Sequence, residues 1–131
     1  MTIHASLADG RWLELSLVEQ LANVGSEVGR ACRARSQGNE ARFEAALARA
    51  LELFDFTLAD RRWGLPRLRE IARARETTVD FLVGDNAFDS SAMSIDRYFM
   101  PFAVAARTAR SHQQPGDSRA GKAPPARSAA V

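Results

Sequence analysis

The sequence predicts an all-α protein, a four-helix up-and-down bundle with a disordered C-terminal tail. In four stretches, apolar residues recur every three or four positions, the spacing of one α-helical face. No stretch shows the alternation of apolar and polar residues that indicates a β-strand. Short connections favour antiparallel neighbouring helices. We therefore divide the 131 residues into a flexible N-terminus at 1–9, a bundle domain at 10–112 and a tail at 113–131.

The first predicted helix runs from Gly10 to Ser36, with Asp9 as its N-cap. Gly38 suits the position just beyond its C-terminus, where a left-handed backbone is common. A narrow apolar seam faces the other helices and consists of Leu13, Leu17, Leu21, Val24, Val28 and Ala31.

The second predicted helix runs from its N-cap Asn39 to about Ala59, and acidic Glu40 near its start suits the helix dipole. The linker that follows, residues 60–65, is short. The predicted buried face of this helix consists of Phe43, Leu47, Ala50, Leu51, Phe54 and Leu58.

The third predicted helix occupies residues 66–83, with Pro66 near its first position, where a missing N–H costs nothing. Its predicted apolar face consists of Leu68, Ile71, Ala72, Val79 and Leu82. At about 100° per residue, Arg75 falls near the centre of that face.

A buried Arg75 needs compensation, because burying an unpaired charge costs several kcal/mol. Three acidic residues lie at the edges of the first two helices: Glu14, Glu27 and Asp55. We expect a carboxylate among them to bind Arg75 in an ion pair that fixes the register of the helices. The alternative is that Arg75 lines a pocket for an anion or a partner.

The fourth predicted helix starts at Ser91 or Ser94 and ends near Ser111, after a polar loop at 85–91. We expect a kink or a break at Pro101. Its predicted face consists of Ile95, Tyr98, Phe99, Phe102, Ala105, Ala106 and Ala109. From residue 113 onward, Pro, Gly, Ala, Ser and Arg without periodicity predict disorder.

Composition excludes several classes of protein. The formal charge of +2 lies in residues 113–131, so residues 1–112 are neutral and do not form a strongly electropositive body. A single cysteine, Cys32, excludes an internal disulfide or a multi-cysteine metal site. No apolar run approaches the roughly 18 residues of a membrane span, and no secretory signal is visible. We therefore expect a cytoplasmic protein that does not bind membranes.

The densest basic run is a candidate nucleic-acid surface, for RNA or DNA, and comprises Arg61, Arg62, Arg67, Arg69 and Arg73. Acidic residues are interleaved with it at helical spacing, and Arg73 is placed to pair with Glu76. The alternative is therefore a solvated face of ion pairs.

Catalytic and metal-binding motifs are sparse. Neither histidine, His4 or His112, belongs to the Glu-x-x-His motif of di-iron bundles, so we expect no metal and no cofactor. Arg107 and His112 form an Arg-x-x-x-x-His spacing that resembles the signature of HEPN-type ribonucleases. In those enzymes the arginine and histidine act on RNA, usually across a homodimer. The alternative is a pair of solvated residues at a helix end.

Four segments resemble a group of small uncharacterised bacterial proteins: residues 12–28, 49–60, 84–86 and 97–99. The resemblance covers about residues 11–107 and implies a self-contained helical domain of bacterial origin. It implies no activity. In size and helical architecture alone, the chain is also similar to the four-helix accessory proteins of retroelements, which form oligomers and bind RNA.

The absence of catalytic groups, the spare aromatic residues and the arginine-rich tail favour a non-enzymatic interaction module. Large apolar side chains outside the seams indicate an interface if they are exposed together, and these are Trp12, Trp63, Phe88 and Met100. We expect the protein to self-associate or to dock another protein. The alternatives are an RNA-binding accessory protein and a HEPN-like ribonuclease.

Overall fold

The computed structural model describes the backbone of residues 10–122 and the side chains of residues 10–111. Within residues 10–122 the protein is all-helical, and no strand occurs there. It contains a short helix α1 (Trp12–Glu14) and four long helices, α2 (Leu17–Ser36), α3 (Glu40–Leu58), α4 (Leu65–Leu82) and α5 (Ala92–Lys122). The predicted N-terminal segment 1–9, including the N-cap Asp9, lies outside the described residues.

The first predicted helix is wrong in one respect, because it is broken at Leu15 and Ser16. Ser16 is the N-cap of α2 in a capping box: its hydroxyl accepts a hydrogen bond from the Glu19 N–H at 3.1 Å, and the Glu19 carboxylate accepts one from the Ser16 N–H at 2.9 Å. These bonds satisfy two backbone N–H groups that have no carbonyl partner at the start of α2. The chain therefore turns at Ser16, and α1 becomes a separate element.

The start of α3 is as predicted, because the Asn39 side chain caps it by accepting a hydrogen bond from the Arg42 N–H at 3.1 Å. Helix α4 begins after Gly64 with Pro66 in its first turn. The buried side of α4 is formed by Ile71, Thr78 and Leu82, about 50° away from the predicted face. Ala72, predicted to be buried, is exposed.

The loop between α4 and α5 is held by side-chain hydrogen bonds. The Asp80 carboxylate accepts bonds from the backbone N–H groups of Ala87 at 2.8 Å and Phe88 at 3.0 Å. Ser91 caps α5, since its hydroxyl accepts a bond from the Ser94 N–H at 3.0 Å.

Helix α5 differs from the prediction at two places. It continues through Pro101 without a break, although proline has no N–H to donate. Its last assigned residue is Lys122, beyond the predicted end near Ser111. The remainder of the predicted tail, 123–131, lies outside the described residues.

Helix α2 lies at the centre of the molecule and packs most extensively against α3 and then against α5. The α2–α5 contact is closest at Gly25, where a Cβ atom would lie 2.7 Å from the Phe99 Cβ. One core cluster joins all five helices and includes Trp12, Val24, Phe54, Ile71 and Phe99.

A second cluster joins the opposite part of α2 to α3 and α4 and includes Ala31, Phe43 and Leu82. Some predicted core positions are wrong. Leu13 is 50% exposed, whereas Trp12 beside it is only 1% exposed. Ala105 and Ala109 are exposed, and Ala106 alone of the three alanines is buried.

Candidate interaction surface

Arg75 forms an ion pair with Asp55 of α3, with Arg75 Nε 3.0 Å from Asp55 Oδ1. The pair lies at the surface, because the Asp55 side chain is 59% exposed. The expectation that Arg75 is centrally buried is therefore wrong: the rotation of α4 places it on the flank of the buried side. An exposed ion pair contributes at most about 1 kcal/mol to stability. The Arg75–Asp55 pair therefore does little to fix the register of the helices.

The other two carboxylates proposed for Arg75 lie elsewhere. Glu27 binds two other arginines, with Oε2 2.7 Å from Arg30 Nη1 and Oε1 3.3 Å from Arg49 Nε. Glu14 in α1 is exposed.

Four arginines of the candidate nucleic-acid surface are exposed, namely Arg61, Arg67, Arg69 and Arg73. No carboxylate lies within 4 Å of any of them among the described side chains, so the expected Arg73–Glu76 pair is not formed.

Arg62 belongs instead to a polar cluster at the end of the bundle. It donates to Asp60 Oδ2 at 2.7 Å and to the Leu15 carbonyl at 2.7 Å, and its guanidinium lies 4.4 Å from the centre of the Trp63 ring. Its hydrogen bonds to Asp60 are the main reason that the pKa of Asp60 is lowered to about 2. Arg62 therefore has a structural role in this cluster.

Gln20 connects this cluster to the core, and it is fully buried. Its amide donates to Asp60 Oδ2 at 2.9 Å and to the Trp12 carbonyl at 3.0 Å, and it accepts from Trp63 Nε1 at 3.2 Å. The cluster thus links α1, α2 and the α3–α4 linker. Sequence analysis missed Gln20 and Asp60, although Gln20 is a polar residue within the apolar seam of α2.

The described residues provide little for catalysis. Arg107 is exposed on α5, and the side chain of His112, its proposed catalytic partner, lies outside the described residues. Burial raises the pKa of the Cys32 thiol, so this residue is a poor nucleophile at neutral pH. No group of three His, Cys, Asp or Glu side chains suited to a metal occurs in the part that the structure describes. No helix there is long and apolar enough to cross a bilayer.

A row of apolar side chains runs along the solvent side of α5. Met93, Met100 and Val104 are 68%, 46% and 44% exposed, and helical geometry places them within about 40° of one another around the axis. We call these three residues the α5 stripe. Exposed methionines are adaptable contact residues, and exposed apolar side chains along one helix face indicate an interaction site.

Charged residues flank the α5 stripe. Asp96 and Arg107 are exposed on one flank, about 20° apart around the axis and about 16 Å apart along it. Arg97 is exposed on the other flank. None of the three has an ion-pair partner within 4 Å among the described side chains. The stripe therefore has an apolar centre and unpaired charges at its edge, the usual composition of a protein interface.

Over residues 10–122 the protein is all-helical, and α5 carries an exposed apolar face. Comparison of the chain with protein-family models, with curated proteins and with solved structures finds no match.

Proposed function

We propose that this protein is a non-enzymatic helical interaction module that self-associates by pairing the α5 stripes of two copies in antiparallel orientation. The observation that carries the proposal is the exposure of Met93, Met100 and Val104 along one line of α5. Behind this helix, we propose that the long helices run alternately up and down, as their short connections predict.

The flanking charges support a second copy of the chain as the partner. The two-fold axis of an antiparallel pair lies between the two copies, perpendicular to α5 and level with the midpoint of Asp96 and Arg107, and it keeps each flank on its own side. Asp96 of one copy then lies opposite Arg107 of the other, twice per dimer. In the same register, Met100 lies opposite Val104 of the second copy, with an offset of about 1.5 Å along the helix. A single register thus brings Met100 against Val104 and Asp96 against Arg107.

Parallel pairing of the same faces is the alternative orientation. Its two-fold axis runs along the helices and exchanges the flanks, so Asp96 lies opposite Arg97 of the second copy. A charge swap at Arg107 distinguishes the two orientations, because only antiparallel pairing places Arg107 opposite Asp96. The three apolar side chains of each copy form a narrow contact, smaller than the roughly 1,200 Å² of standard stable interfaces. We therefore expect a weak dimer whose population rises with protein concentration.

Sedimentation equilibrium over a concentration series tests the proposal with charge-swap variants. Asp96→Arg and Arg107→Asp each place like charges together and should weaken dimerisation at least roughly tenfold. The double variant restores opposite charges and should recover most of the affinity. Wild-type protein that stays a monomer at the highest concentration, or a double variant as weak as the singles, contradicts the proposal.

A matched pair of variants tests the apolar part. Met100→Glu adds a carboxylate within the α5 stripe, whereas Ala105→Glu adds one to the same helix about 120° away. We expect the first to abolish dimerisation and the second to leave it nearly unchanged. Equal loss of dimerisation in the two variants would show that the added net charge, and not its position in the α5 stripe, causes the loss.

Nucleic-acid binding is a second candidate, favoured by the four exposed arginines Arg61, Arg67, Arg69 and Arg73, none paired among the described side chains. Filter binding of single-stranded RNA over a salt series tests it, since phosphate contacts make affinity fall steeply with salt. Replacing Arg67, Arg69 and Arg73 together by glutamine should remove the binding. Absence of RNA binding at low salt would eliminate this candidate.

A further inference from the structure

A cleft of about 430 Å³ lies between the C-terminal half of α2 and the N-terminal half of α3. Its volume is within the range of small-molecule sites, roughly 300–1,000 Å³. Small side chains form its floor, and four arginines and one glutamine surround them. The lining residues are Arg30, Arg33, Ala34, Gln37, Arg42, Ala45, Ala46 and Arg49.

The arginines give this cleft a strong positive charge. No carboxylate belongs to its lining. Glu27 contacts Arg30 and Arg49 from the side, so four positive charges are offset by one negative charge. Arg33 and Arg42 have no carboxylate within 4 Å among the described side chains. The end of the Arg33 side chain lies beside Gly29, which lines the neighbouring cavity toward α5, so about two uncompensated positive charges remain at the cleft itself.

Glu27 also positions two of the arginines. Its side chain is only 12% exposed, and its two oxygens hold Arg30 and Arg49 at 2.7 Å and 3.3 Å. A guanidinium has five N–H donors, so each arginine keeps donors for a ligand after binding Glu27. This arrangement holds two guanidinium groups from different helices close together at the same cleft.

Arg35 shows that the arginines at this end of α2 have different roles. Its guanidinium donates to the carbonyls of Phe81 at 2.9 Å and Leu82 at 2.8 Å, and it lies 4.5 Å from the centre of the Phe81 ring. Arg35 therefore binds the C-terminus of α4. Arg30 and Arg33 have no comparable contacts with α4 among the described residues and line the cleft instead.

We propose that this cleft binds a small polyanion that carries two or three phosphate groups. Arginine matches phosphate well, because its planar fork donates two parallel hydrogen bonds to phosphate oxygens. The charge of such a ligand at neutral pH is opposite in sign to that of the cleft. The compact shape favours a small ligand over an extended nucleic-acid backbone. The inference is independent of self-association, because the cleft and the α5 stripe lie on different helices.

Isothermal titration calorimetry with inorganic tripolyphosphate, at low salt, tests the proposal on the full chain. We expect one ligand to bind per chain. Ala45→Glu places a carboxylate in the cleft at an exposed helical position and should weaken binding at least about tenfold. Ala48→Glu is the matched control, because Ala48 is exposed on the same helix but does not line the cleft. It should change the affinity less than about twofold.

Arg42→Gln, which removes one unpaired charge from the cleft, should also weaken binding. A parallel titration with oligouridylate separates a small phosphate ligand from RNA. No binding of tripolyphosphate by the wild-type protein overturns the proposal. Equal weakening by Ala45→Glu and Ala48→Glu overturns it too, because the effect would then come from net charge. Binding of oligouridylate that tripolyphosphate does not displace would reassign the arginines to RNA.

Discussion

The charge of Asp60 stabilises the fold, since the residue is buried and binds both Gln20 and Arg62. Asp60→Asn removes the charge and should destabilise the protein by about 1–3 kcal/mol, because charged hydrogen bonds in a buried cluster are lost. Asp55→Asn is a suitable control: it breaks the exposed pair with Arg75 and should cost about 1 kcal/mol or less. Urea unfolding measures the free energy of unfolding of both variants. Equal losses would contradict the expectation that the buried Asp60 contributes more than the exposed Asp55.

Asp60 also predicts a pH dependence. Its pKa in the folded protein is about 2, mainly because of hydrogen bonds from Arg62, against an ordinary value of 3.8. The folded state thus favours the ionised form, and the stabilisation is fully present above the ordinary pKa. It is lost as the pH falls through about 4 towards 2.

Thermal unfolding of wild type and Asp60→Asn between pH 7 and pH 2 measures this loss. The gap between the two unfolding temperatures should narrow in acid, and a constant gap would show that the Asp60 charge does not stabilise the fold.

At the scale of residues, the sequence predicted the ion-pair partner of Arg75 better than it predicted the burial of Arg75. It gave Asp55 as one of three possible partners of Arg75, and the two side chains do meet. It placed Arg75 at the centre of a buried face because Ala72 and Val79 were counted as core. Apolar periodicity locates such a face only to within about 50°, half the rotation between successive residues. Three-dimensional packing determines whether a charge lies at the centre or on the flank.

At the scale of helices, Gly25 allows α2 and α5 to approach closely. A Cβ at position 25 would lie 2.7 Å from the Phe99 Cβ, so Gly25→Ala forces the helices apart and should destabilise the protein by about 1–3 kcal/mol. Gly29→Ala, one turn later, meets only the flexible end of Arg33 at 3.3 Å. That variant should gain about 0.5–1 kcal/mol from better helix propensity. Chemical denaturation compares the two, and effects of the same sign would contradict the argument.

The ends of the helices show what local sequence can and cannot predict. Asn39 could be predicted as the N-cap of α3 because it lies at a clear helix boundary, where the residue type alone indicates a cap. Ser16 was missed, although Ser16-Leu17-Val18-Glu19 has the spacing of a capping box, because the apolar seam continues across it. The capping hydrogen bonds at Ser16 therefore mark a helix boundary at a position where apolar periodicity alone predicts that the helix continues. The close approach of Gly25 and Phe99 joins residues far apart in the chain and leaves no local signal.

At the scale of the whole molecule, the four long helical segments could be read from periodicity, but their arrangement could not. Several helices have similar apolar faces, so periodicity does not show that α2 lies at the centre or that α5 keeps an exposed stripe. The arginine cleft was also missed, because its residues come from two helices. Arg30, Arg33 and Arg35 lie close together in the sequence, yet the fold directs Arg35 to the C-terminus of α4 and leaves the other two among the residues that line the cleft.

Self-association and ligand binding should both raise the unfolding temperature, because each favours the folded state by mass action. For the proposed dimer, a hundredfold rise in protein concentration should raise it by several degrees, with roughly 3 °C or more expected for each kcal/mol. Met100→Glu should remove this concentration dependence but keep stabilisation by tripolyphosphate. Ala45→Glu should keep the concentration dependence but remove the stabilisation by tripolyphosphate. Differential scanning calorimetry of both variants separates the two surfaces, and loss of both effects in either variant would show that they are not independent.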